Sequence, residues 1–477
     1  MAKTNKIILY IIAFVFISNS GCKDYLETNP STQVSDQVLL KRVDGAQTVL
    51  NGIYRYIRNR NSDIESNGII SYQPGFDASA QDLIVYESMG QMQLFYGHHL
   101  AQTRADGGLT SGVWSYFYTI INNANIILQN IDQAEGAQDR KNQIKGQVLA
   151  IRGWAYFYLV RFYQQTYAVG KDLPAVPYYS EAGTEGKARE KVSVVYGHIV
   201  NDLKNAIELL GGFSRGYKSQ INRSVAQGIL AEVYLTMEDW SNAAALAKEA
   251  AAGYPLMTPE IFQSGFNDWR NGEWMWGVEQ TEDQNFGNAS PFTLWANQTR
   301  GDRWTFDFYF VNDKFKELFS EGDARYQFWQ RSDRSNLWTS DKFRDDAAYR
   351  GDVVLMRAAE MYLIEAEALA RLGQDQQAKN VLWQLQDART AERSQSSGAQ
   401  LVEDILIERR KELYGEGFAW FDLIRNQKPL HREGDHPRKP EIPARSWKFI
   451  LQIPTAEFTS NKSLAPNDQN PYDGIFK

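Results

Sequence analysis

The sequence predicts a mostly α-helical fold in which tetratricopeptide-like helical hairpins form a scaffold beneath a loop-rich, irregular ligand-binding face. Three observations carry this expectation. Val195, Ile199, Val200, Leu203, Ala206, Ile207 and Leu210 fall on one stripe at spacings of three and four, as an amphipathic helix requires. The segments AEVYLTMEDWSNAAALAKEA and AEALARLGQDQQAKNVLWQL share one plan, a helix with small residues, a short turn, then an alanine-bearing helix. Small side chains let antiparallel helices approach closely, which is the logic of a tetratricopeptide hairpin. Between Tyr254 and Arg350, and again between Gly68 and Gly108, the periodicity gives way to interleaved Gly, Asn, Asp and aromatic residues. Long irregular segments on a rigid scaffold are where binding sites commonly lie.

Taken from the start, residues 1–21 read as a lipoprotein signal peptide. Lys3 and Lys6 precede an apolar run from Ile7 to Ile17, too short to span a bilayer, which ends at Ser18-Asn19-Ser20-Gly21-Cys22. Small residues before a cysteine suit a lipoprotein signal peptidase, although Asn19 stands where leucine is usual. Cys22 is the sole cysteine of the 477 residues, and acylation of its thiol would explain an unpaired cysteine in an exported chain. The remainder, 22–477, reads as one unit. Its helical scaffold lies mainly in 35–60, 110–252 and 350–425, its loop-rich parts at about 68–108 and 254–350, and a C-terminal segment spans 426–477. Trp114 to Ile131, Gln143 to Phe162, Asn222 to Leu235 and Val353 to Leu372 each read as helices, with Gly211-Gly212, Gly253 and Gly373 as C-caps. Trp274, Trp276 and Val278 share the inward face of a short strand. A net charge of −7 argues against a nucleic-acid partner, which needs a basic face.

The most specific segments lie in the C-terminal third: LMRAAEMYLIEAEALARLGQ (355–374), ILIERRKELYGEGFAWFDLIR (405–425) and ILQIPTAEFTSNKSLAPNDQNP (450–471). The N-terminal half adds CKDYLETNPS, DGAQTVLNGIYRYI, WSYFYTIINNANIIL, and AIRGWAYFYLVRFY followed by LPAVPYY. In this order and spacing the set resembles the SusD/RagB family over essentially the whole chain. The resemblance implies a surface lipoprotein that lids a SusC-like, TonB-dependent outer-membrane transporter and hands it oligosaccharide. Lys23-Asp24-Tyr25-Leu26-Glu27 likewise resembles the export tag of surface lipoproteins in Bacteroidetes. Three positions depart from the family pattern, which usually has an aromatic at Gly415, an arginine at Ala419 and an alanine at Gly153.

No catalytic constellation stands out. Gly212-Phe213-Ser214-Arg215-Gly216 matches the nucleophile-elbow pattern but follows a helix, whereas the elbow needs a strand before it. The five histidines, His98, His99, His198, His431 and His436, lack zinc-site spacing, and no phosphate-cradling loop occurs. No cofactor or metal is therefore expected. Glu282-Asp283 and Asp345-Asp346 could supply a two-carboxylate hydrolase, so a surface glycosidase stands as one alternative. A peptide- or protein-binding helical scaffold is the other. Arg409, Glu412, Asp422 and Arg425 read as a paired network on an amphipathic helix beside Trp420 and Phe421.

A sugar offers flat C–H faces, against which proteins stack exposed aromatic rings flanked by polar groups. Trp154, Tyr158, Phe162 and Tyr362 sit at helical spacing and read as core. The irregular segments leave Tyr72, Phe76, Phe95 and Tyr96 on one side, and Trp295, Trp304 and Tyr309 on the other. Trp295 has Asn297 and Gln298 beside it, and Trp304 has Arg300, Asp302 and Arg303, so these two are the leading candidates.

Overall fold

The computed structural model describes residues 39–58, 68–86, 92–97, 104–281, 290–295, 309–332, 335–344 and 351–475. Cys22, Trp304, His98, His99 and the acidic pairs Glu282-Asp283 and Asp345-Asp346 lie outside the described residues.

Within them the protein is mostly helical. The longer helices are α1 (Val43–Ile57), α2 (Ile69–Ser79), α3 (Gly108–Asn130), α4 (Gln138–Tyr163), α5 (Val192–Leu209), α6 (Arg223–Met237), α7 (Trp240–Ala251), α8 (Ala358–Arg371), α9 (Asp375–Ala388), α10 (Gly398–Leu413), α11 (Ala419–Arg425) and α12 (Thr455–Ser460). From α3 to α7 each helix packs on the next, and α8 continues the row by packing on α7 before receiving α9 and α10. The chain between α7 and α8 thus leaves the scaffold and returns to the place it left.

Side-chain size sets these contacts. In α7, Ala243, Ala244, Ala247 and Ala250 are buried, and α8 buries Ala366, Ala368 and Ala370. At Gly153 on α4 a methyl group would sit 3.1 Å from Leu203 Cγ of α5, so the departure from alanine brings these two helices close. Side-chain caps start both helices of the first hairpin, α6 and α7: Asn222 accepts from Val225 N and Asp239 from Asn242 N. Glu238 (φ 62°) and Gly373 (φ 74°) end the first helix of each hairpin in the left-handed conformation.

Two segments differ from the sequence expectation. The stretch from Val353 is not helical throughout. Val353–Arg357 forms strand β8, paired antiparallel with β4 (Trp274–Val278), and the helix begins only at Ala358. The β-branched pair Val353-Val354 suits the pleated, partly covered surface it occupies. β4 itself is buried at all five positions, as the inward face of Trp274, Trp276 and Val278 suggested. Residues 69–79, placed in a loop-rich part, form α2, and every residue of α2 is buried. A helix covered on all sides has no polar stripe, so periodicity cannot reveal it. Four short strands, β1 (Leu83–Val85), β5 (Tyr309–Val311), β7 (Trp338–Ser340) and β6 (Trp329–Arg331), make one antiparallel sheet in that order, and β2 (Pro174–Pro177) pairs separately with β3 (Arg189–Lys191).

A buried ionic joint fastens this sheet-bearing half to the scaffold. Three fully buried arginines converge on Glu412 of α10. Arg325 Nη1 reaches Oε2 at 3.0 Å, while Arg357 Nη1 and Arg389 Nη2 reach Oε1 at 2.5 Å and 2.8 Å. Glu273 bridges Arg357 and Arg389, Asp323 and Glu408 hold Arg325, and Glu416 holds both Arg357 and Lys342. Burial alone would push the Glu412 carboxyl up, yet the guanidinium groups of Arg389, Arg357 and Arg325 hold it well below the usual carboxylate range. Arg409 pairs with Asp422 at 2.8 Å, and Arg425 with Asp422 and Glu367 at 2.7 Å. The charges of 405–425 are structural, as the sequence reading held.

Candidate ligand-binding site

Six of the seven aromatic candidates fall among the described residues, and all six lie in the core. Trp295 is 1% exposed; its ring stacks on Phe343 at 4.9 Å and 26°, with Tyr309 at 5.4 Å and Tyr414 at 6.2 Å. Tyr72, Phe76 and Phe95 form a ring cluster, in which Phe76 lies 5.3 Å from Phe95 and 4.4 Å from Phe162. Tyr96 packs under the Arg432 guanidinium at 4.1 Å and its hydroxyl meets His436 Nδ1 at 2.9 Å. None of these six exceeds 3% exposure, so none presents a ring face to a ligand, and the expectation of an aromatic platform at these positions is corrected. Chain without periodicity can still be packed from every side, and sequence pattern does not distinguish the two cases.

Trp295 has a definite structural task instead. Gly415 has φ 81°, and a Cβ there would fall 2.6 Å from a Trp295 ring carbon and 2.5 Å from Phe343. The indole and phenyl rings occupy the space beside Gly415, where the family usually carries an aromatic side chain. Asp77 of α2 completes the turn, accepting from the backbone N–H groups of Gly415, Gly417 and Ala419.

An open cleft of about 450 Å³ lies elsewhere, along α3, between the 178–187 loop and α12. Its floor is aromatic. Trp114 and Tyr118, one helical turn apart on α3, have centroids 4.8 Å apart at 49°, and Tyr179 meets Tyr118 edge-on at 5.7 Å. Polar contacts fix the rings. Trp114 Nε1 donates to Glu457 Oε2 at 3.2 Å, and Tyr118 donates to the Pro177 carbonyl at 2.7 Å. The Tyr179 backbone is held on both sides, its N–H donating to the Tyr156 hydroxyl at 2.7 Å and its carbonyl accepting from Asn125 Nδ2 at 2.8 Å. Asn125 is held in turn by Arg152, which makes a two-pronged pair with Asp202 at 2.7 Å and 2.8 Å. The opposite wall is pinned where Asn461 Nδ2 donates to Glu457 Oε1 and the Lys187 carbonyl, each at 2.8 Å. Burial raises both the Tyr118 and Tyr179 phenols above their ordinary value, so they stay neutral.

The rim is polar: Ser115, Asn122, Glu181, Thr184, Glu185 and Ser460 are exposed there. Aromatic ring faces bordered by hydroxyl, amide and carboxylate groups, held before any ligand arrives, suit a polyhydroxylated molecule with apolar ring faces. Sequence reasoning missed this site because the stretch from Trp114 to Ile131 read as a helix, and the search for ligand-facing rings was confined to the irregular segments. The available signal was Asn122, which continues their stripe at the next i+4 step and would be a poor core residue.

Fold and cleft together define a helical scaffold protein that holds an open, aromatic-floored cleft. Residues 24–235 match the SusD-like family model described as "Starch-binding associating with outer membrane", and residues 334–472 match the model of the SusD family. A SusD-like carbohydrate binding protein from Bacteroides vulgatus has 32% sequence identity and a TM-score of 0.82, over 90% of this chain and 98% of its own. SusD-like protein P2 of Formosa agariphila is 24% identical, over 96% of this chain and 99% of its own. A laminarin-binding SusD-like protein shares the fold, with a TM-score of 0.72 at 21% identity over 90% of this chain and 99% of its own. The chain belongs to the SusD/RagB family.

Proposed function

We propose that this protein is a lipid-anchored cell-surface lipoprotein that captures oligosaccharide without cleaving it and feeds a SusC-like, TonB-dependent outer-membrane transporter. The observation that carries this reading is the near full-length similarity to the carbohydrate binding protein of Bacteroides vulgatus. The cleft adds chemistry of the right kind, with neutral phenols, an indole and hydrogen-bonding groups in one open depression. Among the described residues no helix is long and apolar enough to cross a membrane, so the reading assigns anchorage to acyl chains on Cys22.

Calorimetric titration of the purified Cys22→Ala protein against an oligosaccharide library tests capture, with product analysis of each bound sugar. Binding without new reducing ends is expected; turnover would establish the glycosidase alternative, and no binding to any glycan would favour the peptide-binding one. Trp304 stays a proposed contact of the loop-rich face, and Trp304→Ala should weaken binding if that face contributes. Anchorage is checked separately: Cys22→Ala should leave the outer-membrane fraction and carry no lipid.

A further inference from the structure

The cleft holds a charge pattern that limits which sugars it can take. Its described lining contains three carboxylates, Glu181, Glu185 and Glu457, and neither lysine nor arginine. Glu457 is engaged by Trp114 and Asn461, which leaves Glu181 and Glu185 as the exposed acids of the rim. The basic groups nearby do not cancel them. Arg189 is turned away, donating to the carbonyls of Pro174, Ala175 and Asp468 and to Asn470. Arg152, behind the floor, is matched by Asp202. The Lys187 ammonium lies 5.7 Å from the Tyr179 ring centroid, one cation beside a lining that carries three acids.

Negative charge concentrated in a depression with low-dielectric walls is focused rather than dispersed. A uronate or sulfate group entering it meets like charge and loses hydration, with a single lysine ammonium near three carboxylates to offset that loss. A neutral sugar meets the opposite situation. Its vicinal hydroxyls donate to carboxylates, and its C–H faces lie on the rings.

We infer that this cleft is a binding site for oligosaccharides free of acidic groups, with Tyr118 and Tyr179 as stacking surfaces and Glu181 and Glu185 as the charges that reject uronate- and sulfate-bearing glycans. The inference rests on the glycan-binding reading above and adds the place and the ligand class.

The full mature protein is titrated against three probe sets: neutral laminari-, malto- and xylo-oligosaccharides, chitosan oligosaccharides, and acidic oligogalacturonate and chondroitin sulfate fragments. Binding is expected from the first two sets only, weakened about ten-fold or more by Tyr179→Ala. Asn122→Trp, at an exposed rim position, fills the cleft without removing a packing contact and should weaken binding equally. Glu181→Gln with Glu185→Gln should raise the affinity for acidic fragments relative to neutral ones by about ten-fold. An acidic fragment bound by the unaltered protein and lost in Asn122→Trp overturns the ligand class. Glycan binding indifferent to both Tyr179→Ala and Asn122→Trp removes the site and leaves the glycan-binding reading standing. An unchanged acidic-to-neutral ratio in the double glutamine variant refutes the role of the two glutamates. Failure of every probe set to bind overturns the glycan-binding reading itself.

Discussion

The joint around Glu412 and the cleft above α3 share carboxylates and aromatic rings, but among the described residues only the joint is lined with arginine and lysine. Each gathers several carboxylates beside aromatic rings, yet one is a fastening and the other an opening. At the joint every described carboxylate faces a guanidinium or ammonium group, and Phe262, Phe266 and Phe319 cover the cations. At the cleft Arg152 is matched by Asp202 behind the floor, Arg189 is engaged by backbone carbonyls and Asn470, and the acids of the rim are exposed. The difference teaches that the role of a carboxylate here follows from what faces it, since both places gather glutamates beside aromatic rings. Buried ions carry a desolvation cost that only complete pairing offsets, so the joint tolerates no missing member.

Removing members therefore gives the largest contrast. Glu412→Ala leaves Arg325, Arg357 and Arg389 buried around an absent anion, and should cost about 3–5 kcal/mol in urea-induced unfolding. A loss below 1 kcal/mol would mean that water or a neighbouring acid replaces the carboxylate. Next comes Trp295→Ala, which empties the space beside Gly415 and should also cost about 3–5 kcal/mol. Glycan affinity of the folded fraction should stay unchanged, since Trp295 is core; a selective loss of affinity with normal stability would restore it as a ligand contact.

The buried side also has a pH signature. Burial, reinforced by the Arg432 charge, pushes the His436 imidazole from 6.5 down to about 4. The unfolded chain binds that proton first, so this contribution to stability is intact above about pH 6.5 and is lost as pH falls toward 4. Neutral His436 matches its surroundings, accepting from the Tyr96 hydroxyl at 2.9 Å and donating to the Gln81 carbonyl at 2.8 Å. His436→Gln should remove roughly 3 kcal/mol of pH dependence from this window, read as melting temperature across a pH series. An unchanged slope would place the acid sensitivity elsewhere. The smallest effect is expected at the rim: Glu181→Gln with Glu185→Gln should shift stability by less than about 0.5 kcal/mol. A larger loss would show that these acids, too, are structural.

Legibility in the sequence followed how each element is covered. A helix with one wet face, such as α5, was readable because burial on one side leaves a 3.6-residue stripe. The hairpin pairs were readable from their alanines. Arg409, Glu412, Asp422 and Arg425 were recognisable as a network because acids and bases alternate along one helix and its neighbour. By contrast α2, buried at every position, and β8, joined without a break to α8, showed no stripe to read. The same blindness applied to Tyr72, Phe76, Phe95, Tyr96, Trp295 and Tyr309, whose irregular surroundings suggested exposure.

The sequence by itself determined the helical class, the family and the structural nature of the 405–425 charges, because these depend on near-neighbour spacing along the chain. Tertiary structure alone decided which aromatics a ligand can reach. Tyr118 keeps some exposure in the cleft because residues 178–187 and 455–461, distant in sequence, border it without sealing it, whereas Trp114 beside it is 6% exposed. Trp295 is closed off only because Phe343, Tyr414 and Gly415 arrive from other elements. Exposure is a property of the partners that surround a side chain, and those partners are chosen by long-range packing that no local pattern records.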